Sequence, residues 1–395
     1  MSKEVEREKD FILRGITKNV FILGMVSLFT DISSEMIYPL IPIFLTAVLG
    51  APMAIVGVIE GIAESTASIL KVFSGWFSDK LGKRRSFIVS GYSCSAVAKP
   101  LLAAAFSWPV VLVARFIDRF GKGVRTSARD AMIADETNTQ NRGKAFGFHR
   151  AMDTSGAVLG PLLALVLLTL LEENYRLIFL IALIPAVTAV VLLLLFVKER
   201  VKIALSPAEV PKFNLGQFDR RFKLFLLIIL IFGLGNSSDV FLIMRAKNLG
   251  FSTMLVVVAY VLYNSVYALL STPAGILSDR IGRRRVIMTG FFIFAAVYFG
   301  FAFVRTSIYV WGLFAIYGFY VAMTEGVSRA FVSDLVPTEK RGTALGIFHT
   351  TTGLVTFAAS FIAGLLWTYV SVPAPFIYGG IMAALAAILF FRLLP

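Results

Sequence analysis

Apolar runs of about twenty residues recur along the whole chain, each closed by a short stretch rich in charge, glycine or proline. At 1.5 Å per residue, about 20 residues in a helix cross the hydrocarbon of a bilayer. Twelve such runs are readable, near 18–49, 53–78, 86–106, 108–132, 143–171, 176–197, 223–247, 253–278, 285–304, 307–332, 342–369 and 374–393. They predict helices, because a helix satisfies every backbone N–H and C=O within one crossing. Most connections are short. The exception, Lys198 to Lys223, carries Pro207 and Pro211 and reads as a linker. The pattern predicts an all-α membrane protein: a six-helix bundle over 1–197, a cytoplasmic linker over 198–222, and a second six-helix bundle over 223–395.

Composition supports this reading. The chain is 57% hydrophobic and 16% charged, with a mean hydropathy of +0.81, whereas a soluble domain carries about 25% charged residues. A net charge of +14 would suggest nucleic acid as a partner, but its distribution explains most of it. Lys80, Lys83, Arg84, Arg85, Arg142, Lys144, Lys198, Arg200, Arg280, Arg283, Arg284, Arg285, Lys340 and Arg341 fall in one alternating set of loops. The opposite set holds little beyond Arg176, Arg245, Lys247 and Arg305. Basic loops stay on the cytoplasmic side, so both termini are expected there, and no nucleic-acid partner is implied. The lone Cys94 forms no intrachain disulfide and reads as a small core residue. The charged first 20 residues lack a signal-peptide pattern and read as a cytoplasmic lead-in, with an interfacial helix expected.

One motif occurs twice. Gly75-Trp-Phe-Ser-Asp79-Lys-Leu-Gly82-Lys-Arg84-Arg85 is echoed by Gly275-Ile-Leu-Ser-Asp279-Arg-Ile-Gly282-Arg-Arg284-Arg285, an offset of 200. Asp135, Arg142, Gly143, Ala145 and Gly147 recur as Asp334, Arg341, Gly342, Ala344 and Gly346, an offset of 199. Two landmark sets at nearly one offset indicate two fused, similar halves. With this signature in the loops after spans 2 and 8, the chain resembles a major facilitator superfamily secondary transporter over essentially its whole length. The resemblance implies two pseudo-symmetric bundles moving a small molecule by alternating access, a prokaryotic cytoplasmic membrane, and no cofactor; a monomer suffices, because the site lies within one chain. It also implies a latch, in which Gly75, Asp79, Gly82, Arg84, Arg85 and Asp135, with Gly275, Asp279, Gly282, Arg284, Arg285 and Asp334, hold one state. In it the arginines pair with Asp135 and Asp334, and Asp79 and Asp279 face helix N-termini of the opposite half.

Ionisable groups inside spans are costly, so they mark candidate function. Span 1 carries Asp31 and Glu35, on one face at i, i+4, about 18–24 Å from its cytoplasmic start. Span 2 carries Glu60, Glu64 and Lys71. Span 4 carries Arg115, Asp118, Arg119 and Lys122 on one face, with Arg125 and Arg129 further along. Arg115-Phe-Ile-Asp118-Arg119-Phe-Gly121 is similar to the superfamily's fourth-span motif, whose Arg is implicated in proton transfer; Asp118 and Arg119 depart from it. Span 5 carries His149, Arg150 and Asp153, then Gly156-x-x-x-Gly160-Pro161, a partial match to the superfamily's antiporter motif. The second half is sparser, with Asn236 and Asp239 in span 7, Asn264 in span 8, Glu325 and Arg329 in span 10 and His349 in span 11. The two histidines stand near equivalent points of the repeat.

Proton-coupling candidates are therefore Asp31, Glu35, Glu64, Arg115, Asp118 and Asp153. Substrate-cavity candidates are Tyr38, Arg119, Arg150, Asn236, Asp239, Asn264, Glu325 and His349. The reading favoured is proton-coupled export of a small molecule. Export of a divalent metal or other cation, and uptake of an organic anion, are the alternatives. No H-E-x-x-H, Walker loop or nucleotide fingerprint points to an enzyme.

Overall fold

The computed structural model describes residues 11–13, 16–81, 83–137, 141–199, 215–337 and 340–394. Among them run twelve long helices: α1 (Lys18–Val48), α2 (Met53–Leu81), α3 (Arg84–Ala103), α4 (Trp108–Glu136), α5 (Arg142–Leu170), α6 (Tyr175–Phe196), α7 (Arg220–Asn248), α8 (Thr253–Ile281), α9 (Arg283–Phe303), α10 (Ile308–Asp334), α11 (Arg341–Tyr369) and α12 (Ala374–Leu393). They coincide with the twelve predicted spans. Ten are long and apolar enough to cross a membrane on length and composition. The remaining two, α3 and α4, match the others in length; a charged face lowers the hydropathy of α4, and four serines with Lys99 and the two leading arginines lower that of α3. The protein is a multi-pass helical membrane protein. Most of the linker, residues 200–214, lies outside the described residues.

Three details depart from the expected pattern. The lead-in forms no helix over its described residues: β1 (Phe11–Leu13) pairs antiparallel with β2 (Ile16–Thr17). Thr17 then caps α1, its hydroxyl accepting from Val20 N at 3.4 Å. Second, α1 is interrupted at Tyr38–Leu40 and ends in a π-helical turn, Phe44–Val48. Pro39 and Pro42 withhold the N–H groups that a regular helix needs there. Third, α7 is not one continuous helix. It stops at Gly235 and resumes at Val240. In Asn236-Ser-Ser-Asp239, side chains compete for backbone groups. Ser238 Oγ accepts from Val240 N at 3.4 Å, and Ser238 N donates to Ser360 Oγ at 3.2 Å.

The chain forms two compact units. The first takes the chain up to Tyr38 and again from Leu70 into the linker; the second takes Pro39–Ile69 and the chain beyond the linker. These units cut the chain differently from the six-and-six division, because residues 39–69 group with α7–α12. Small residues account for this. A Cβ on Gly364 of α11 would stand 2.7 Å from Met53 O, and one on Gly61 would stand 3.1 Å from Phe357 O. Ser65 Oγ also donates to Gly353 O at 2.6 Å. Only backbone approaching backbone permits such packing.

Within each unit the duplicated loop makes the same contacts. Arg84 Nε meets Asp135 Oδ2 at 3.0 Å, and Arg283 Nε meets Asp334 Oδ2. Arg85 Nη2 donates to Leu194 O at 2.7 Å, and Arg284 Nη2 donates to Phe391 O at 2.8 Å. The expected pairing of Arg284 or Arg285 with Asp334 is therefore corrected: Arg283 holds Asp334, Arg284 binds the end of α12, and Arg285 is exposed. The cause is register. Lys83 precedes the start of α3 at Arg84, whereas α9 starts at Arg283 directly after Gly282, whose φ of +97° suits glycine. From these helix starts the repeat offset is 199. Asp279 is 3.2 Å from Arg283, a local contact on its own side of the loop. Gly75 brings α2 against Ser127 of α4, whereas a Cβ on Gly275 would meet nothing. The side chain of Asp79, and Gly82 itself, lie outside the described residues.

Candidate functional site

The first unit holds a polar seam between α1 and α5. On α5, His149, Asp153, Gly156 and Gly160 follow at i, i+4, i+7 and i+11, one face of the helix. On α1, Ser27, Asp31 and Glu35 face back at i, i+4 and i+8. The glycines set the distance. A Cβ on Gly156 would stand 2.7 Å from Leu28 O and 2.8 Å from Asp31 Cβ. One on Gly160 would stand 2.9 Å from Met36 N and 3.0 Å from Glu35 Cβ. The G-x-x-x-G run thus seats α5 on the turns that carry both membrane carboxylates. Above it, Ser27 Oγ hydrogen-bonds Asp153 Oδ1, and His149 Nδ1 is 3.7 Å from Asp153 Oδ2. Asp153, Lys122, Glu35 and Arg125 all lie within electrostatic reach of Asp31.

The basic face of α4 closes this unit. Arg129 Nη1 donates to Ser27 Oγ at 3.2 Å. Arg125 Nη1 donates to Ser95 Oγ at 2.6 Å and stacks 4.6 Å from the Tyr92 ring. Arg115 and Arg119 lie 5.6 and 5.9 Å from the Tyr38 ring, a cation–π arrangement. Asp118, expected among proton carriers, is engaged otherwise. Lys99 Nζ is 3.3 Å from its Oδ1 and also 3.3 Å from Ser34 Oγ. Lys99 is 1% exposed, a group that sequence reasoning missed. Its signal was a lone lysine within the small, apolar run before Pro100. Arg150 is exposed, and Glu64, on Pro39–Ile69, belongs to the other unit.

The second unit carries tyrosines where the first carries charge. At the offset of 199, Lys99 corresponds to Tyr298, Asp118 to Tyr317, Gly121 to Tyr320 and Arg125 to Thr324. Tyr317 OH donates to Asp239 Oδ1 at 2.7 Å, at the α7 break. Asn236 Nδ2 donates to Tyr320 OH at 3.3 Å. The rings of Tyr263 and Tyr317 stand 5.2 Å apart, and those of Tyr317 and Tyr320 5.3 Å. Asp239 and Asn236 are thus brought together, with tyrosines that the sequence analysis did not single out. Asn264 Nδ2 donates to Tyr260 O at 3.0 Å within α8. Glu325 is exposed and pairs with Arg329 at 2.6 Å. His349 packs on Phe348 and is no counterpart of His149, which corresponds to Phe348 itself.

A discontinuous helix with freed polar groups, paired with buried charges in a duplicated bundle, is the build of a secondary transporter. The chain belongs to the Major Facilitator Superfamily, whose family model matches residues 23–266 and 246–395. It is a transporter and not an enzyme. It is 39% identical over 385 residues, 95% of each chain, to an uncharacterized MFS-type transporter of Methanocaldococcus jannaschii. It is 29% identical over 333 residues, 77% of this chain and 73% of the relative, to a probable 4-methylmuconolactone transporter of Cupriavidus pinatubonensis. Its fold matches a crystal structure of a point mutant of the nucleoside transporter NupG, with a TM-score of 0.80 at 14% identity, over 95% of this chain and 100% of that one.

Proposed function

We propose that the protein is a proton-coupled antiporter that exports a small organic molecule, with Asp31 and Glu35 as the groups that exchange protons. The observation that carries this is the seating of Gly156 and Gly160 on the turns of Asp31 and Glu35. It holds two half-buried carboxylates on one face of α1 among cations, where each proton bound or released changes the local charge at an electrostatic cost. Asp153 shares that seam. Asp118 is reassigned to a structural pair with Lys99, and Arg115 to the Tyr38 face. Export is inferred from the glycine run of α5. Asp239 and Asn236, at the α7 break, are the substrate contacts proposed in the second unit. The six-and-six division, cytoplasmic termini, a prokaryotic cytoplasmic membrane, a monomeric state and a latch role for the Arg84–Asp135 and Arg283–Asp334 pairs complete the proposal.

A second reading, uptake of an organic anion, is favoured by Arg115 and Arg119 against Tyr38. Among the described residues no three His, Cys, Asp or Glu side chains converge to hold a metal, so the geometry adds no support for metal export.

Thermal stabilisation of the purified chain by lipophilic cations, neutral drug-like compounds and organic anions, at two pH values, tests the proposal. A cationic or neutral ligand whose affinity rises with pH, and loses that dependence in Asp31→Asn or Glu35→Gln, is expected. A response confined to anions and indifferent to both carboxylates would move the assignment to the basic face of α4.

A further inference from the structure

The α1/α5 seam contains a further titratable group, His149, beside the carboxylates. His149 is 4% exposed, and its Nε2 is buried without a hydrogen-bond partner among the described residues. An orphaned ring nitrogen in a site of this polarity is costly unless it has work to do. Its other nitrogen faces Asp153, which bonds Ser27, which lies one helical turn before Asp31 on α1. Asp153 is also within electrostatic reach of Asp31. His149 thus stands at one end of a line of titratable groups that runs His149, Asp153, Asp31, Glu35. It lies seven residues into α5, about 10 Å along the axis, and Gly156, opposite Asp31, lies about 21 Å along it.

We infer that His149 and Asp153 form the proton relay between Asp31 and the membrane face that carries the α4–α5 loop. Protonation of Nε2 from that face makes the imidazolium. Loss of the Nδ1 proton to the Asp153 carboxylate returns a neutral ring, and Asp153 then passes that proton to Asp31. The relay runs in reverse on release. The charged groups facing His149 are Arg129 and Asp130 from α4 and Asp153 and Arg150 from α5, with the Ser27 hydroxyl on α1 beside Asp153. The second unit has Phe348 and Thr352 in the equivalent places, so the shared frame does not require the relay groups. They are specific to the unit that carries Asp31 and Glu35. The inference rests on the proton-coupled reading of Asp31.

The test is a rapid pH drop on the full chain in detergent micelles, followed by the infrared carboxyl C=O band that is absent in Asp31→Asn. In His149→Ala, His149→Gln and Asp153→Asn the band should rise at least roughly tenfold more slowly than in the parent chain. Its final amplitude and the melting temperature should change little in the glutamine variant, and added imidazole should restore the rate in the alanine variant. An unchanged rate in both histidine variants, or slowing that imidazole does not relieve, would overturn the relay while leaving Asp31 as proton carrier. Absence of any band sensitive to Asp31→Asn would overturn both.

Discussion

The Lys99–Asp118 pair makes an asymmetric prediction. Both side chains are buried, and Nζ and Oδ1 are 3.3 Å apart. At an effective dielectric constant of about 20 that separation corresponds to about 5 kcal/mol. Removing one partner of a buried pair costs about 3–5 kcal/mol, mostly by stranding the other charge. The surroundings decide which loss is worse. Asp118 still has Arg119, Arg115 and Arg125 within reach when Lys99 is gone. Lys99 without Asp118 is left facing Arg125 and Arg115, charges of its own sign. Asp118→Asn should therefore fall at the upper end of the range and Lys99→Met at the lower. The double variant Lys99→Met with Asp118→Leu should regain most of the loss, because the second unit builds the same positions from Tyr298 and Tyr317. The free, half-buried Cys94 serves as reporter, since it lies on α3 beside Gly121. A thiol-reactive dye added during heating reads the unfolding of this unit, and a shift of roughly 10 °C is expected for the worse single variant. If Asp118→Asn melts with the parent chain, if Lys99→Met melts lower than Asp118→Asn, or if the double variant is no better than the worse single one, the pair does not hold α3 to α4.

Two further predictions concern packing. Gly160→Val should cost about 1–3 kcal/mol or more by overpacking, because even a Cβ stands 2.8 Å from Ile32 O; the same melt checks it, and Gly275→Ala, with open space around it, is the control. Arg245 donates to Phe301 O at 2.9 Å and Val304 O at 3.0 Å, tying α7 to the end of α9. Arg245→Leu should lower stability by about 1–3 kcal/mol and Arg245→Lys should not restore it, because the fork geometry is lost; protease susceptibility of the chain reads the difference.

The helices were legible because a bilayer imposes a length and a polarity that few other constraints imitate. The carboxylates of α1 and the glycines of α5 were legible for the same reason, as each breaks an apolar run. What escaped notice depended on partners. Lys99 is one lysine among small residues, and only the approach of α4 reveals Asp118 as its mate. Arg245 reads as a loop cation until α9 ends beneath it. The α7 break has no proline to announce it, since Asn236 to Asp239 unwind the helix through the local Ser238–Val240 bond and through Ser360, Tyr317 and Tyr320, which only the fold brings alongside. Tyr298, Tyr317 and Tyr320 resemble lipid-facing aromatics in sequence, and only their mutual distances show a polar cluster around Asp239.

Lys83 marks the one place where the two copies of the loop differ in length. A search for the motif's characters would align Arg84 with Arg284 and Arg85 with Arg285, and would see no gap. The ion pairs say otherwise: Arg84 matches Arg283, so Lys83 is an insertion or its counterpart a deletion since the duplication. What has persisted between the copies is the pairing of charges across the loop, while the number of residues that reach it has been free to drift.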